Sequence, residues 1–188
     1  ALSKVFGMEI RLAEDSFDAM HAADGFVRLS AELRNLSAIM AKLAADLVIL
    51  GSDGASGLGE LRLPPVQPGS SIMAGKVNPV IPMTVQQVWM RVHGHDAAIA
   101  IAAQSGQMEI NHFEPLIALS LFEQMALITA AAKSFAARCI VGLEVDEDRS
   151  YLNLAQSFGV STVFLKELGY TRVSAMAKRA LSEGKPLA

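Results

Sequence analysis

The chain has 188 residues, 52% of them hydrophobic, which is enough apolar material to bury a core in one or two domains. Its net charge of −3 comes from 16 basic and 19 acidic residues with no basic patch or acidic tail, which argues against nucleic acid as a partner. A lone cysteine, Cys139, excludes an internal disulfide and reads as cytoplasmic; the histidines His21, His93, His95 and His112 share no metal-ligand spacing, so neither metal nor other cofactor is expected.

From Ala13 to Leu50 the chain lacks proline, and Phe26, Leu29, Leu33, Leu36, Met40, Leu43, Leu47 and Leu50 recur in steps of three and four. This spacing predicts one long helix, or two joined near Gly25, with Asp15 or Ser16 as the cap and Gly51 as the stop. From Gly51 to Asn78 the periodicity gives way to a long Gly- and Pro-rich segment. Leu58, Leu61, Leu63, Val66, Ile72 and Met73 mark it as an ordered loop rather than a solvated linker. Pro79 and Pro82 then open a second long helix reaching about Gln104, since proline fits a first helical turn. Residues 105–115 form a second loop, and a third helix runs from about Pro115 to Arg138. Its apolar run 116–132 is interrupted by Glu123 and Gln124 and is read as a bundle centre, too short to span a bilayer, so no membrane partner is expected. Beyond Gly142 the chain turns polar, and residues 150–158, 160–168 and 172–182 read as short helices. The fold class is all-α: a central helical bundle over 1–142 and a small helical domain over 143–188. The surplus of apolar residues is assigned to core plus subunit interface. The chain opens at Ala1 without a methionine and ends without a closing element, which reads as a piece of a longer protein.

Residues 68–79, PGSSIMAGKVNP, carry the chemistry. Gly69 and Gly75 permit backbone turns that aim successive N–H groups at one point. Ser70 and Ser71 add hydroxyls, Lys76 a positive charge and Asn78 an amide donor, and the helix after Pro79 presents its positive dipole end to the same region. All of these favour a carboxylate or phosphate. A P-loop is excluded because Val77, not a serine or threonine, follows Lys76. Clustered donors also lower the cost of a serine alkoxide, which could remove a proton from a carbon beside a carboxylate. The plain alternative is a turn joining two helices; the adjacent serines, the following Lys and Asn, and the loop's length argue against it.

The run GSSIMAGKVNP closely resembles the signature loop of the fumarase/aspartase superfamily, GSSxMPxKxNP, departing only where Ala74 replaces proline. Residues 58–73, 92–115 and 139–149 resemble the segments around that loop, the following helix and turn, and the hinge into a small C-terminal domain. The resemblance implies about the second half of a central helical domain and part of a C-terminal one. It implies a homotetramer with active sites shared between subunits, acting on a small dicarboxylate. Ser70 becomes the general base on the β-carbon. Lys76 and Asn78 would bind the substrate carboxylate, and Ser71 with the backbone at Ile72, Met73 and Val77 would line the same site. The implied reaction is a reversible anti-elimination giving fumarate. Residues 78–82, NPVIP, and 107–115, QMEINHFEP, resemble the aspartate ammonia-lyase version; a fumarase-like hydratase and a non-catalytic helical binding module are the alternatives. Met83 stands where the family usually has glutamate.

The remaining polar residues have plainer readings. His112 is assigned to the rim, and His95, which stands where the family has asparagine, to polar packing. His93 flanks it across Gly94. Cys139 reads as a small buried hydrophobe, Trp89 and Met90 as core or interface, and Glu144–Arg149 as a solvated helix start.

Overall fold

The computed structural model describes residues 2–73 and 75–185. Among them the chain is all-α, with seven helices: α1 (Leu2–Phe6), α2 (Ser16–His21), α3 (Asp24–Leu50), α4 (Val80–Gln104), α5 (Glu114–Phe135), α6 (Glu147–Gln156) and α7 (Leu165–Glu183). A π-helical turn, Ala136–Ile140, extends α5, and a 3₁₀ segment, Phe158–Phe164, precedes α7. The two-residue strands β1 (Leu61–Arg62) and β2 (Glu144–Val145) pair antiparallel, Leu61 opposite Val145 and Arg62 opposite Glu144. The chain divides into two compact units, residues 1–41 with 85–132 and residues 42–84 with 133–188.

The first long helical run is two helices, not one. Asp15 caps α2, its carboxylate accepting from the N–H groups of Phe17 and Asp18. The break falls at Ala22–Ala23, two residues before Gly25, because the turn after α4 reaches this point: Asn111 N–H donates to Met20 O at 3.1 Å. Gly106 lies against His21, where a β-carbon would come within 3.2 Å of the imidazole.

In the first unit, Ala23, Ile99, Ala102, Ile117 and Leu121 form the core, flanked by Val27, Leu33, Ala103 and Phe113. Burying each large aliphatic here contributes about 1.5–3 kcal/mol. The buried face of α3 is made of small residues seven apart, Ala23, Ser30, Ser37 and Ala44, which let neighbouring helices approach closely. The apolar stripe seen in the sequence lies elsewhere: Phe26, Leu29, Leu36 and Leu43 are exposed.

A polar seam crosses the bundle. Ser30 donates to Asp96 at 2.7 Å, Arg34 pairs with the other oxygen of that carboxylate at 2.8 Å, and Gln124 donates to Ser30 Oγ and to Val92 O at 3.0 and 3.2 Å. Gln124 and Ser30 are fully buried. With its π turn, the third long helix is continuous over Glu114–Ile140, 27 residues of mean hydropathy 1.5. This corrects the sequence reading, for the helix is long and apolar enough to cross a membrane. Its buried side nevertheless holds Gln124 in hydrogen bonds to α3 and α4, as in a bundle helix.

In the second unit, Glu144–Arg149 is more than a solvated helix start. Asp146 caps α6 by accepting from Arg149 N–H at 3.0 Å and pairs with Arg62 at 2.6 Å; the Arg149 backbone bond, then the Arg62 bond, hold its carboxyl below the usual carboxylate range. Helix α6 begins at Glu147, earlier than expected. The second expected short helix is the 3₁₀ segment, and the last runs 165–183 with a break at Gly169 (φ 72°, ψ 160°).

Candidate functional site

The loop 68–79 closes on itself at its neck. Gly69 packs so tightly on the Lys76 carbonyl that a β-carbon there would overlap its oxygen, and Asn78 donates from its side-chain amide to Gly69 O. Gly75 takes φ +80°, in the left-handed region where a β-carbon is strained. Lys76 N–H closes a turn onto Met73 O at 3.3 Å. The exit is fixed by α4: Val80 N–H donates to Asn78 O, Met83 N–H to Pro79 O, and Pro82 is fully buried. Pro79 therefore sits just outside the first turn of α4, and the positive end of that helix follows Asn78 directly.

Within this frame Ser70 is half-buried, and its Oγ accepts from the backbone N–H groups of Ile72 and Met73 at 3.1 and 3.0 Å. Two donors converging on a hydroxyl oxygen favour its anionic form over the same group in water. Ser71, Ile72, Met73, Lys76 and Val77 turn their side chains to solvent; Ile72 is 91% exposed. Among the described residues the Lys76 ammonium has no carboxylate partner. Asn78 is half-buried and keeps one amide N–H and its carbonyl oxygen beyond the bond to Gly69. The loop thus gathers Ser70 with the Ile72 and Met73 backbone, and Gly69 with Lys76 and Asn78. The Ala74 replacement lies outside the described residues, and Met83 is exposed on the first turn of α4.

The other titratable residues fall away from this chemistry. His95 is buried with Nε2 3.1 Å from Glu123, off the direction of a good hydrogen bond; burial, then Arg91, hold its pKa below the ordinary imidazole value, while Glu123 acts in the opposite sense. His112 is exposed and stacked on Phe113, with ring centres 4.2 Å apart. His93 rests on Trp89 edge to face at 5.0 Å. Cys139 is buried, and burial raises its thiol pKa, which leaves it protonated and inert. Among the described residues no three His, Cys, Asp or Glu side chains cluster as metal ligands do.

Two groups escaped sequence reasoning. Asn111 closes the end of α4 and starts the turn into α5, donating to Ala102 O and Ala103 O and accepting from Phe113 N–H. Arg149 and Asn153 bind the backbone of residues 57–58. Only an asparagine before a helix start hinted at the first, and nothing local hinted at the second.

A family model described as Lyase matches residues 1–94. The chain belongs to the fumarase/aspartase superfamily of lyases. It is 41% identical to the class II fumarate hydratase of Thermosynechococcus vestitus, over 99% of this chain and 40% of that protein. It is 34% identical to the aspartate ammonia-lyase of Helicobacter pylori, again over 99% of this chain and 40% of the relative. A fumarate lyase:delta crystallin of Brucella melitensis in native form superimposes with a TM-score of 0.90 at 41% identity, over 99% of this chain and 43% of that one. The chain therefore spans about two fifths of the superfamily members it matches, and these include both a hydratase and an ammonia-lyase.

Proposed function

We propose that the protein containing this chain is a cytoplasmic lyase that forms fumarate from a small dicarboxylate, with Ser70 as the general base. Ser70 carries the reading, because its Oγ already accepts two backbone N–H groups before any substrate arrives. The alkoxide removes the proton from the β-carbon. The electron pair moves onto the neighbouring carboxylate, giving an aci-carboxylate with one additional negative charge, which Lys76 and Asn78 stabilise. Collapse of that species forms the carbon–carbon double bond and expels the leaving group from the α-carbon.

Ammonia is our first leaving group, on the strength of the NPVIP run at 78–82 and of Gln107 and Glu114. Water is the second reading, favoured by the higher identity to the hydratase than to the ammonia-lyase, 41% against 34%. The exposed side chains of Ser71, Ile72, Met73, Lys76 and Val77 suit a site finished by other parts of the protein and by neighbouring subunits in a homotetramer. The exposed stripe on α3 and the apolar Leu119 and Phe122 on α5 suit the same assembly. We place the boundary between the helical domain and the small domain at 142/143, where Gly142 takes φ +85°.

The test is an ultraviolet assay for fumarate made by the intact protein from L-aspartate and from L-malate, with Ser70→Ala beside it. The expected result is fumarate from aspartate, reduced about 10²–10⁴-fold in the variant. Fumarate from malate alone selects the hydratase reading. No fumarate from either, with a dicarboxylate still bound, selects the binding module.

A further inference from the structure

We propose that Arg149 and Asn153 are positioning residues for the Ser70 loop, acting through the segment 57–66. Only the kinetic arm of this proposal rests on the elimination reading above. The guanidinium of Arg149 donates from Nε to Leu58 O at 2.9 Å and from Nη2 to Gly57 O at 3.0 Å. Asn153, one turn further along α6, donates from Nδ2 to Leu58 O at 2.9 Å and to the Glu60 carboxylate at 3.0 Å. Asp146 completes the clamp, its N–H donating to Glu60 O at 2.9 Å and its carboxylate holding Arg62. The β1–β2 pair continues the same contact by one residue on each side.

The clamped segment leads into the floor beneath the loop. Leu63, Pro64 and Val66 line a small cleft of about 180 Å³ together with Asn78, Pro79, Val80, Ile81, Pro82, Arg138 and Cys139. Leu63 also fills the space beside Gly51, where a β-carbon would come within 3.1 Å of its Cγ. The loop thus has two roots, one at Val66 and one at Pro79, packed against each other. One of them is fixed by α6 and the other by α4. Because Ile72, Met73 and Lys76 face solvent, the loop's geometry depends on those roots more than on its own side chains.

A side chain that fixes a site through intervening backbone changes the rate of the chemical step more than substrate affinity. Arg149→Ala, Arg149→Lys and Asn153→Ala would be compared in the intact protein by amide hydrogen exchange and by fumarate formation. In Arg149→Ala, exchange should rise about tenfold at 57–62 and also at 68–79, with 85–132 unchanged. The kcat should fall about tenfold with KM within twofold, and Arg149→Lys should recover part of the loss. Asn153→Ala should show the same pattern more weakly; it decides the matter should Arg149→Ala loosen the whole chain. Faster exchange at 57–62 with wild-type exchange at 68–79 would overturn the proposal, as would a change in KM alone. A wild-type protein that makes no fumarate would count against the functional reading, and the exchange pattern would then judge the clamp by itself.

Discussion

In the seam between α3, α4 and α5, Ser30 and Gln124 are sealed from solvent and find partners in Asp96, Arg34 and the Val92 carbonyl. In the loop 68–79, Ser70 is half-buried, its partners are its own next-but-one neighbours, and five of the seven expected site residues face outward. The seam satisfies its polar groups within the described chain and so fixes the register of three helices. The loop holds a shape but leaves its binding capacity unused. A buried network belongs to stability, while a preformed and open one belongs to a ligand that has yet to arrive.

Truncation is the strongest way to sharpen this contrast. Ile99→Ala, in the core beside the seam, should lower unfolding free energy by about 2–5 kcal/mol in urea titration. The same change at the exposed Ile72 should stay within about 0.5 kcal/mol. Gly69→Ala should do the opposite of Ile99→Ala. Its β-carbon meets the Lys76 carbonyl and opens the neck, so fumarate formation should fall about 10²-fold while urea stability changes little. Gln124→Met keeps the volume but loses the bonds to Ser30 and Val92, and should cost about 1 kcal/mol with unchanged catalysis. A catalytic effect of Gln124→Met larger than its stability effect would break the contrast.

The smallest effect concerns pH. Burial holds the folded pKa of His95 below the 6.5 of a free imidazole, so below that pH the unfolded chain binds more protons than the folded one. Stability should therefore fall as pH drops below 6.5, and level off once the pH passes beneath the lowered folded value. His95→Asn should flatten that part of the stability–pH curve. The groups facing His95 are Glu123 and Arg91, and both must be intact for the comparison to hold.

The three long helices were legible because each buries one face along many turns, and the loop was legible because its composition breaks so sharply with theirs. What could not be read was set by contacts between distant residues. The break at Ala22–Ala23 comes from Asn111, some ninety positions away in the chain, meeting Met20. The small face of α3 was hidden by a stripe of larger residues with the same helical spacing, Phe26, Leu29, Leu36 and Leu43. Local charge suggested a solvated start for α6; only the fold brings Arg62, Leu58 and Gly57 to Asp146 and Arg149. Within the loop, residue types and spacing pointed to an anion nest. They did not show that two of its donors would close onto Ser70, since that depends on how the chain turns after it.

The π-helical turn at Ala136–Ile140, closed by Val141 N–H on Ala136 O at 3.0 Å, holds one residue more than an α-helical turn would. A single-residue deletion there could relax into regular α-helix without breaking the rod. Everything downstream would then be turned by about 100° about the helix axis. Glu144 and Val145 would lose their pairing with Leu61 and Arg62, and α6 its grip on residues 57–60. The length of this one turn is thus a phase setting, aligning the last third of the chain with the strap beneath Ser70.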